Sequence, residues 1–402
     1  MRRSPFFYSS LFRSQLATVS LKTTAIAIVG QDSAVLGSQL NFAGLSLEPP
    51  HREGKGNAQF ALHACCSKLT RLLKTLQNQG VRLNTIEITL EVGMFEVRKP
   101  DDRRLFEELN PDEIVARYRE NYSLGPEIGI NEVRLHADLE ASLTDRLLSA
   151  PLAERGAIFE EAYSELYKKL PWLASVGTAS GLEAWPKLMK PNSKVYEIGS
   201  GTGALAEYLA RTGFDCTATE ITQERGERDV STVGGLRWRR TDGVHLDQFE
   251  EPGSFDYLIS DQVVEHLHPD DIITHFRTAL ILLKPGGSYI VRTPHRRHGP
   301  QDLSRVFKLE NPVFMHLHEF NFLEFDYICR ESGYSDVLGV MNLGPISRKL
   351  DMYKPTHGYY SYMRVLDSID NSLSSLRIGR KAFKGLSRYL LSPKNVWVKL
   401  VR

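Results

Sequence analysis

Glu197-Ile-Gly199-Ser-Gly201-Thr-Gly203 lies between a short apolar run and an amphipathic one, and its reading decides the fold. Val195, Tyr196 and Ile198 read as a buried strand, and Ala204 to Ala210 reads as a helix. A glycine-rich turn from strand to helix lets a ligand approach the backbone closely and meet the free N–H groups of the helix N-terminus. Acidic residues recur where a nucleoside needs them: Glu220 closes the next strand and Asp242 follows the one after. The pattern points to a nucleoside-containing ligand. Gly199-x-Gly201-x-x-Ala204 also satisfies the dinucleotide fingerprint, and Glu220 fits the spacing of its ribose-binding acid. Glu197 separates the readings. A carboxylate two residues before the first glycine repels a pyrophosphate, but accepts a hydrogen bond from an ammonium.

S-adenosylmethionine carries such an ammonium and no phosphate. A second feature agrees with it: Leu283-Lys-Pro-Gly-Gly287 precedes the strand Ser288–Thr293, with Val263-Val-Glu-His-Leu267 upstream. With these motifs in this order, the chain from near Leu152 to its end resembles the class I S-adenosylmethionine-dependent methyltransferases of the broad type 11 group. The resemblance implies an α/β fold, a Rossmann-like seven-stranded sheet with helices on both faces, and S-adenosylmethionine as cofactor. It implies that Glu197, Gly199, Ser200, Gly201 and Gly203 hold the methionine part of the cofactor. Glu220 takes the ribose hydroxyls, Asp242 with Gly243 the adenine end, and Asp261 and Gln262 flank the reacting methyl.

A chain of 402 residues exceeds one typical domain, and two is the natural expectation. At 42% hydrophobic and 25% charged residues the composition is that of a globular protein. No apolar run approaches the length that spans a bilayer. A net charge of +1 gives no global field toward nucleic acid or membrane, so a small-molecule partner is expected. Cys65, Cys66, Cys216 and Cys329 lack metal or disulfide spacing and read as small buried hydrophobes in a reducing compartment. The first acidic residue is Asp32, after Arg2, Arg3, Arg13, Lys22 and several serines. That is the composition of a mitochondrial transit peptide, set against a basic extension on a cytoplasmic protein.

The expected organisation is a basic extension over 1–22, an α+β domain over 23–140, a helical bridge over 141–185 and the methyltransferase domain over 186–402. In the first domain Ala25–Val29 and Val35–Leu40 are β-like. Ala58, Leu62, Cys65, Leu69, Leu72 and Leu76 fall at helical spacing, and Ile86, Ile88, Leu90 and Val92 alternate as a half-buried strand. Asn110-Pro-Asp-Glu113 opens a further helix. Through Gly37-Ser-Gln39, Ala58-Gln59 and Leu76–Val92 this order resembles the Rid-like enamine/imine deaminases. The glycine and serine are reversed, and Pro126–Val133 lacks the family's carboxylate-binding arginine, so the resemblance implies a shared fold without the chemistry. Recruitment or homo-oligomerisation is the expected role, and the chain from about Leu147 is expected to suffice for cofactor binding. In the bridge, Ile158, Phe159, Ala162, Tyr163, Leu166 and Leu170 form one apolar face, and Pro171 ends the helix.

The remaining strands are expected at Lys194–Ile198, Asp215–Thr219, Leu236–Arg239, Phe255–Ser260, Asp336–Met341 and Val396–Val401. Methyl transfer from a sulfonium needs positioning, desolvation and, for a protonated acceptor, a base, for which histidine is the default. Titratable groups crowd the chain after the fifth strand: His295, His298 and Asp302, then His316, His318 and Glu319. His295, His298 and His318 are the expected catalytic residues, with Glu319 and His266 contacting the acceptor. The spacing holds no tight ligand pair, so no metal is expected.

Overall fold

In the computed structural model the chain divides into two units, Met1–Glu96 and Val97–Arg402. The structure describes residues 21–27, 40–41 and 86–92 of the first. Of the second it describes 109–402 apart from 175–180, 224, 226–232, 343–346, 348–351, 374–382, 384 and 386–392.

The first unit contributes β1 (Leu21–Ala27), β2 (Leu40–Asn41) and β3 (Ile86–Val92), in the antiparallel order β2-β1-β3. Pairing of β1 with β3 runs unbroken from Leu21↔Val92 to Ala27↔Ile86. The strict alternation of Ile and Leu with Glu and Thr in β3 is the period a strand requires. The expected helix over 58–76, and the Gly37-Ser-Gln39 and Ala58-Gln59 stretches, lie outside the described residues.

The second unit opens with α1 (Pro111–Tyr122), α2 (Ile130–Leu148), α3 (Arg155–Lys169) and the single turn α4 (Pro171–Ala174). Asn110 caps α1 by accepting from the Asp112 backbone N–H, with Pro111 at the first turn. The expected boundary at 140/141 falls inside α2. Ile114, Tyr118, Val133 and Ala137 pack against Leu303, Val306, Phe307 and Phe314. Leu139, Leu143 and Leu147 join Phe159, Leu166, Met315 and Leu317 in a neighbouring core. These helices therefore belong with the large sheet, and a chain cut at Leu147 loses part of that core.

The sheet comprises β4 (Lys194–Ile198), β5 (Asp215–Glu220), β6 (Leu236–Arg240), β7 (Phe255–Asp261), β8 (Leu283–Pro294), β9 (Asp336–Val340), β10 (Pro355–Thr356) and β11 (Asn395–Val401). Its order is β10-β9-β11-β8-β7-β4-β5-β6. Seven strands were expected and eight are present; the extra one, β10, is a two-residue edge too short for any periodic signal. The five central strands are parallel, whereas β11 runs antiparallel to both β8 and β9. Four further helices follow the strands: α5 (Ala204–Arg211), α6 (Ile272–Leu282), α7 (Phe322–Ser332) and α8 (His357–Leu373). In α5, Leu205, Ala206, Leu209 and Ala210 form the buried stripe that packs on β4 and β5 through Val195, Cys216 and Ala218. Among the described residues no helix is long and apolar enough to cross a membrane.

Candidate active site

The strand order reverses between β4 and β7, and a crevice beyond the C-terminal ends of parallel strands is where such sheets bind ligands. A cavity of about 320 Å³ lies there. Successive strand ends supply its floor: Ile198 and Gly199 after β4, Glu220 and Ile221 after β5, Thr241 to Gly243 after β6, Gln262 and Val263 after β7. Tyr122, Glu140 and the aromatic face of α3 cover it, and Gln301, Asp302, Met315 and His316 close the remaining side.

The floor is held by backbone bonds between neighbouring strand ends. The Ser200 N–H donates to Thr219 O at 2.7 Å, and the Thr241 N–H to Glu220 O at 3.0 Å. Gly199 has φ +64°, and a Cβ there would come within 2.6 Å of the Val263 side chain. Only glycine fits. Gln262 adopts φ 59°, a left-handed conformation uncommon for a residue with a side chain.

Of the expected cofactor residues, Gly199, Glu220, Asp242, Gly243 and Gln262 line the cavity. Glu197, Ser200, Gly201 and Gly203 occupy the strand end and turn around Gly199. Glu197 is buried, and burial together with nearby Asp261 and Glu220 pushes its carboxyl well above the usual carboxylate range. Glu220 is raised by burial too, with Arg225 opposing, and its Oε2 accepts from the Ile221 N–H at 2.7 Å. Asp242 Oδ1 accepts from the Val244 and His245 N–H groups, each at 2.8 Å. Asp261 is engaged by Arg292, whose Nε donates to Oδ1 at 2.6 Å while Nη2 pairs with Oδ2.

The expected catalytic histidines do not line this cavity. His295 is fully buried and bonds through Nε2 to Asp367 Oδ1 at 2.8 Å. Arg297 pairs with the same carboxylate, and the His295 and Arg297 partners outweigh burial to hold Asp367 at about 2. His298 stacks edge-on at 5.5 Å from the His295 ring. His318 bonds to Glu324 at 2.9 Å, beside Arg296. All three serve the joint between β8, α7 and α8.

The cavity's own histidines are His266 and His316, the second singled out in the sequence only through its spacing from His318. The His266 Nδ1–H donates to Met315 O at 2.8 Å, and burial beside His316 lowers the ring to about 3. His316 goes the other way. Burial disfavours its charge, but Glu319 at 3.0 Å, with Asp302 and Glu265 nearby, raises it to about 9. Burial lifts Glu265 to about 7 and Asp302 to about 6, His316 opposing in both. Neither cavity imidazole is poised near neutrality. Glu265, His266 and His316 bring one ligand atom each within 4.8 Å of one another, a close group that their sequence spacing concealed. Glu319 touches the cavity only through its hold on His316 and the Gln301 N–H.

Three residues that sequence reasoning missed complete the walls. Tyr122 and Glu140 come from α1 and α2, which the sequence assigned to a different domain, and Arg225 lies past β5, its Nη1 donating to the Tyr167 hydroxyl at 3.0 Å.

The fold is a Rossmann-like α/β sheet with its crevice where the strand order reverses. Residues 175–338 match the family model described as "Methyltransferase domain". The chain is 32% identical over 111 residues to a ubiquinone biosynthesis O-methyltransferase of Xanthomonas campestris pv. campestris, a stretch covering 26% of this chain and 45% of that protein. It is 27% identical over 194 residues to a glycine/sarcosine/dimethylglycine N-methyltransferase of Actinopolyspora halophila, covering 46% of this chain and 32% of that one. The chain thus spans less than half the length of these curated relatives. Among solved structures, a SAM-dependent methyltransferase from Archaeoglobus fulgidus aligns with TM-score 0.39 and 15% identity, over 60% of this chain and 99% of that one.

Proposed function

We propose that this chain is an S-adenosylmethionine-dependent methyltransferase acting on O, N or C of a small molecule. The observation that carries the reading is a set of buried polar atoms without partners around the glycine turn and the end of β7: Glu197 Oε2, Ser200 Oγ and Gln262 Nε2. Each such atom costs roughly 1–3 kcal/mol unless a ligand satisfies it. An amino-acid end, with one ammonium and one carboxylate, supplies donors to Glu197 and acceptors to the other two. A pyrophosphate offers Glu197 no ammonium to favour its ionised form, and meets it as a like charge once it is ionised, which counts against a nicotinamide oxidoreductase.

The fit extends along the floor. Glu220 suits vicinal ribose hydroxyls, and Asp242 with Gly243 suits a purine edge. S-adenosylmethionine, when bound, supplies a methyl group already activated as a sulfonium. The chain's own part is to orient it, to exclude water with the aromatic face of α3, and to hold the acceptor in line. The names of the curated relatives cover both O- and N-methylation, and support methyl transfer without favouring either acceptor.

Calorimetric titration of the full chain tests this reading. S-adenosylmethionine is expected to bind and NAD not to. Glu220→Ala removes a charge-assisted acceptor and weakens binding about ten- to a hundredfold. Micromolar NAD affinity with none for the sulfonium overturns the proposal.

A further inference from the structure

From α2, Glu140 alone reaches the cavity, and a directed chain of hydrogen bonds holds it there. The Trp172 Nε1–H donates to the Tyr118 hydroxyl at 3.0 Å. That hydroxyl lies 2.8 Å from His136 Nδ1, and His136 Nε2 lies 2.7 Å from Glu140 Oε1. Burial pushes the Tyr118 phenol up, so it keeps its proton. The His136 Nε2–H donates to the Glu140 carboxylate, with Nδ1 against the Tyr118 hydroxyl.

Aromatic rings stand beside it. Tyr122, Phe159 and Tyr163 line the same side of the cavity, and ring faces attract cations. The Tyr163 hydroxyl is buried without a hydrogen-bond partner. Elsewhere in the cavity the positive charges are already matched. His316 is paired with Glu319 at 3.0 Å, and Arg225 stands by Glu220 and Tyr167.

We infer that the acceptor half of the cavity recognises an amine in its ammonium form, held by the Glu140 carboxylate with the Tyr122 and Tyr163 rings around it. This rests on the methyltransferase reading and deepens it, naming nitrogen as the acceptor atom: the ammonium passes one proton to the Glu140 carboxylate, and the freed lone pair takes the methyl as the cofactor's thioether leaves. A phenolate or carboxylate acceptor meets Glu140 as a like charge, and a neutral hydroxyl gains a hydrogen bond from it without the ion pair or the attraction of the ring faces.

A charge series of one shape tests the inference: benzylammonium, benzyl alcohol and benzoate titrated into the full chain. Benzylammonium is expected to bind at least about tenfold more tightly than the other two. Glu140→Gln keeps the shape and the bond from His136, and is expected to abolish the preference while leaving the melting temperature and S-adenosylmethionine affinity unchanged. Tyr163→Leu, which leaves the Trp172-to-Glu140 chain intact, is expected to weaken benzylammonium several-fold by removing a ring face. Equal or tighter binding of benzoate or the alcohol overturns the inference, as does a preference that survives in both variants. Loss of S-adenosylmethionine affinity in Glu140→Gln also overturns it, because Glu140 then serves the cofactor. Wild-type cofactor binding is read in a separate titration, whose failure sinks the methyltransferase reading while the benzyl series still reports on the cavity.

Discussion

Glu197 carries a testable coupling between protons and ligand. Buried beside Asp261 and Glu220, its carboxyl holds a proton well above the ordinary carboxylate range. In the free protein the native state then binds more protons than the unfolded chain, so this group lowers stability as pH rises from the unfolded carboxylate value toward the raised one. A bound ammonium favours the ionised form and expels the proton. Cofactor affinity is therefore expected to rise with pH until Glu197 ionises in the free protein, and the binding enthalpy to depend on the buffer's heat of ionisation. Calorimetry in phosphate and in Tris checks this: identical enthalpies, or an undiminished difference in Glu197→Gln, would remove Glu197 from the ammonium's partners. Glu197 and Gly199 were legible because strand, turn and helix lie together in sequence. The histidines were not. Asp367, which engages His295, lies 72 residues further along the chain. His316 and His318 would share a face in a strand, but their run is irregular, so one faces the cavity and the other Glu324.

The helices α1 and α2 act as a cover whose loss should be felt by both the core and the cavity. Ile114, Tyr118, Val133, Leu139 and Leu143 are each almost wholly buried against residues after β8 or against α3. Burying one such side chain contributes about 1.5–3 kcal/mol, so losing several rivals the ~5–15 kcal/mol stability of a whole domain. A chain starting at residue 109 is expected to melt cooperatively and bind S-adenosylmethionine, whereas one starting at Leu147 is expected to aggregate or melt far lower. Thermal melts and cofactor titration of the two decide it, and a stable, cofactor-binding protein from Leu147 would show that the cover is dispensable. Local chemistry announced these elements well. Asn110 with Pro111 opens α1, and the Asn321–Glu324 capping box and Gly333 delimit α7. Their allegiance stayed hidden, because apolar periodicity says that a face is buried but not against what.

The large unit sets its site where the central strands diverge, with β4 and β7 side by side and the chain returning outward on each flank. Motif order made that centre readable; the flank beyond β8 was less so, because strand direction leaves no trace in alternation. There β11 is inserted between β8 and β9, which touch each other nowhere along the sheet order. During synthesis this has a cost in time. β9 leaves the ribosome roughly fifty residues before β11, or about 3–10 s at 5–20 residues per second. Throughout that interval β8 and β9 each present an unpaired edge, the kind of surface that templates aggregation. Ribosome-bound chains stalled just before Asn395 are expected to recruit holdase chaperones, and chains long enough to free Val401 from the exit tunnel to release them. Equal chaperone occupancy at both stall points would mean that the gap is harmless. Otherwise the wait for β11 makes the speed of translation through 341–394 a determinant of yield.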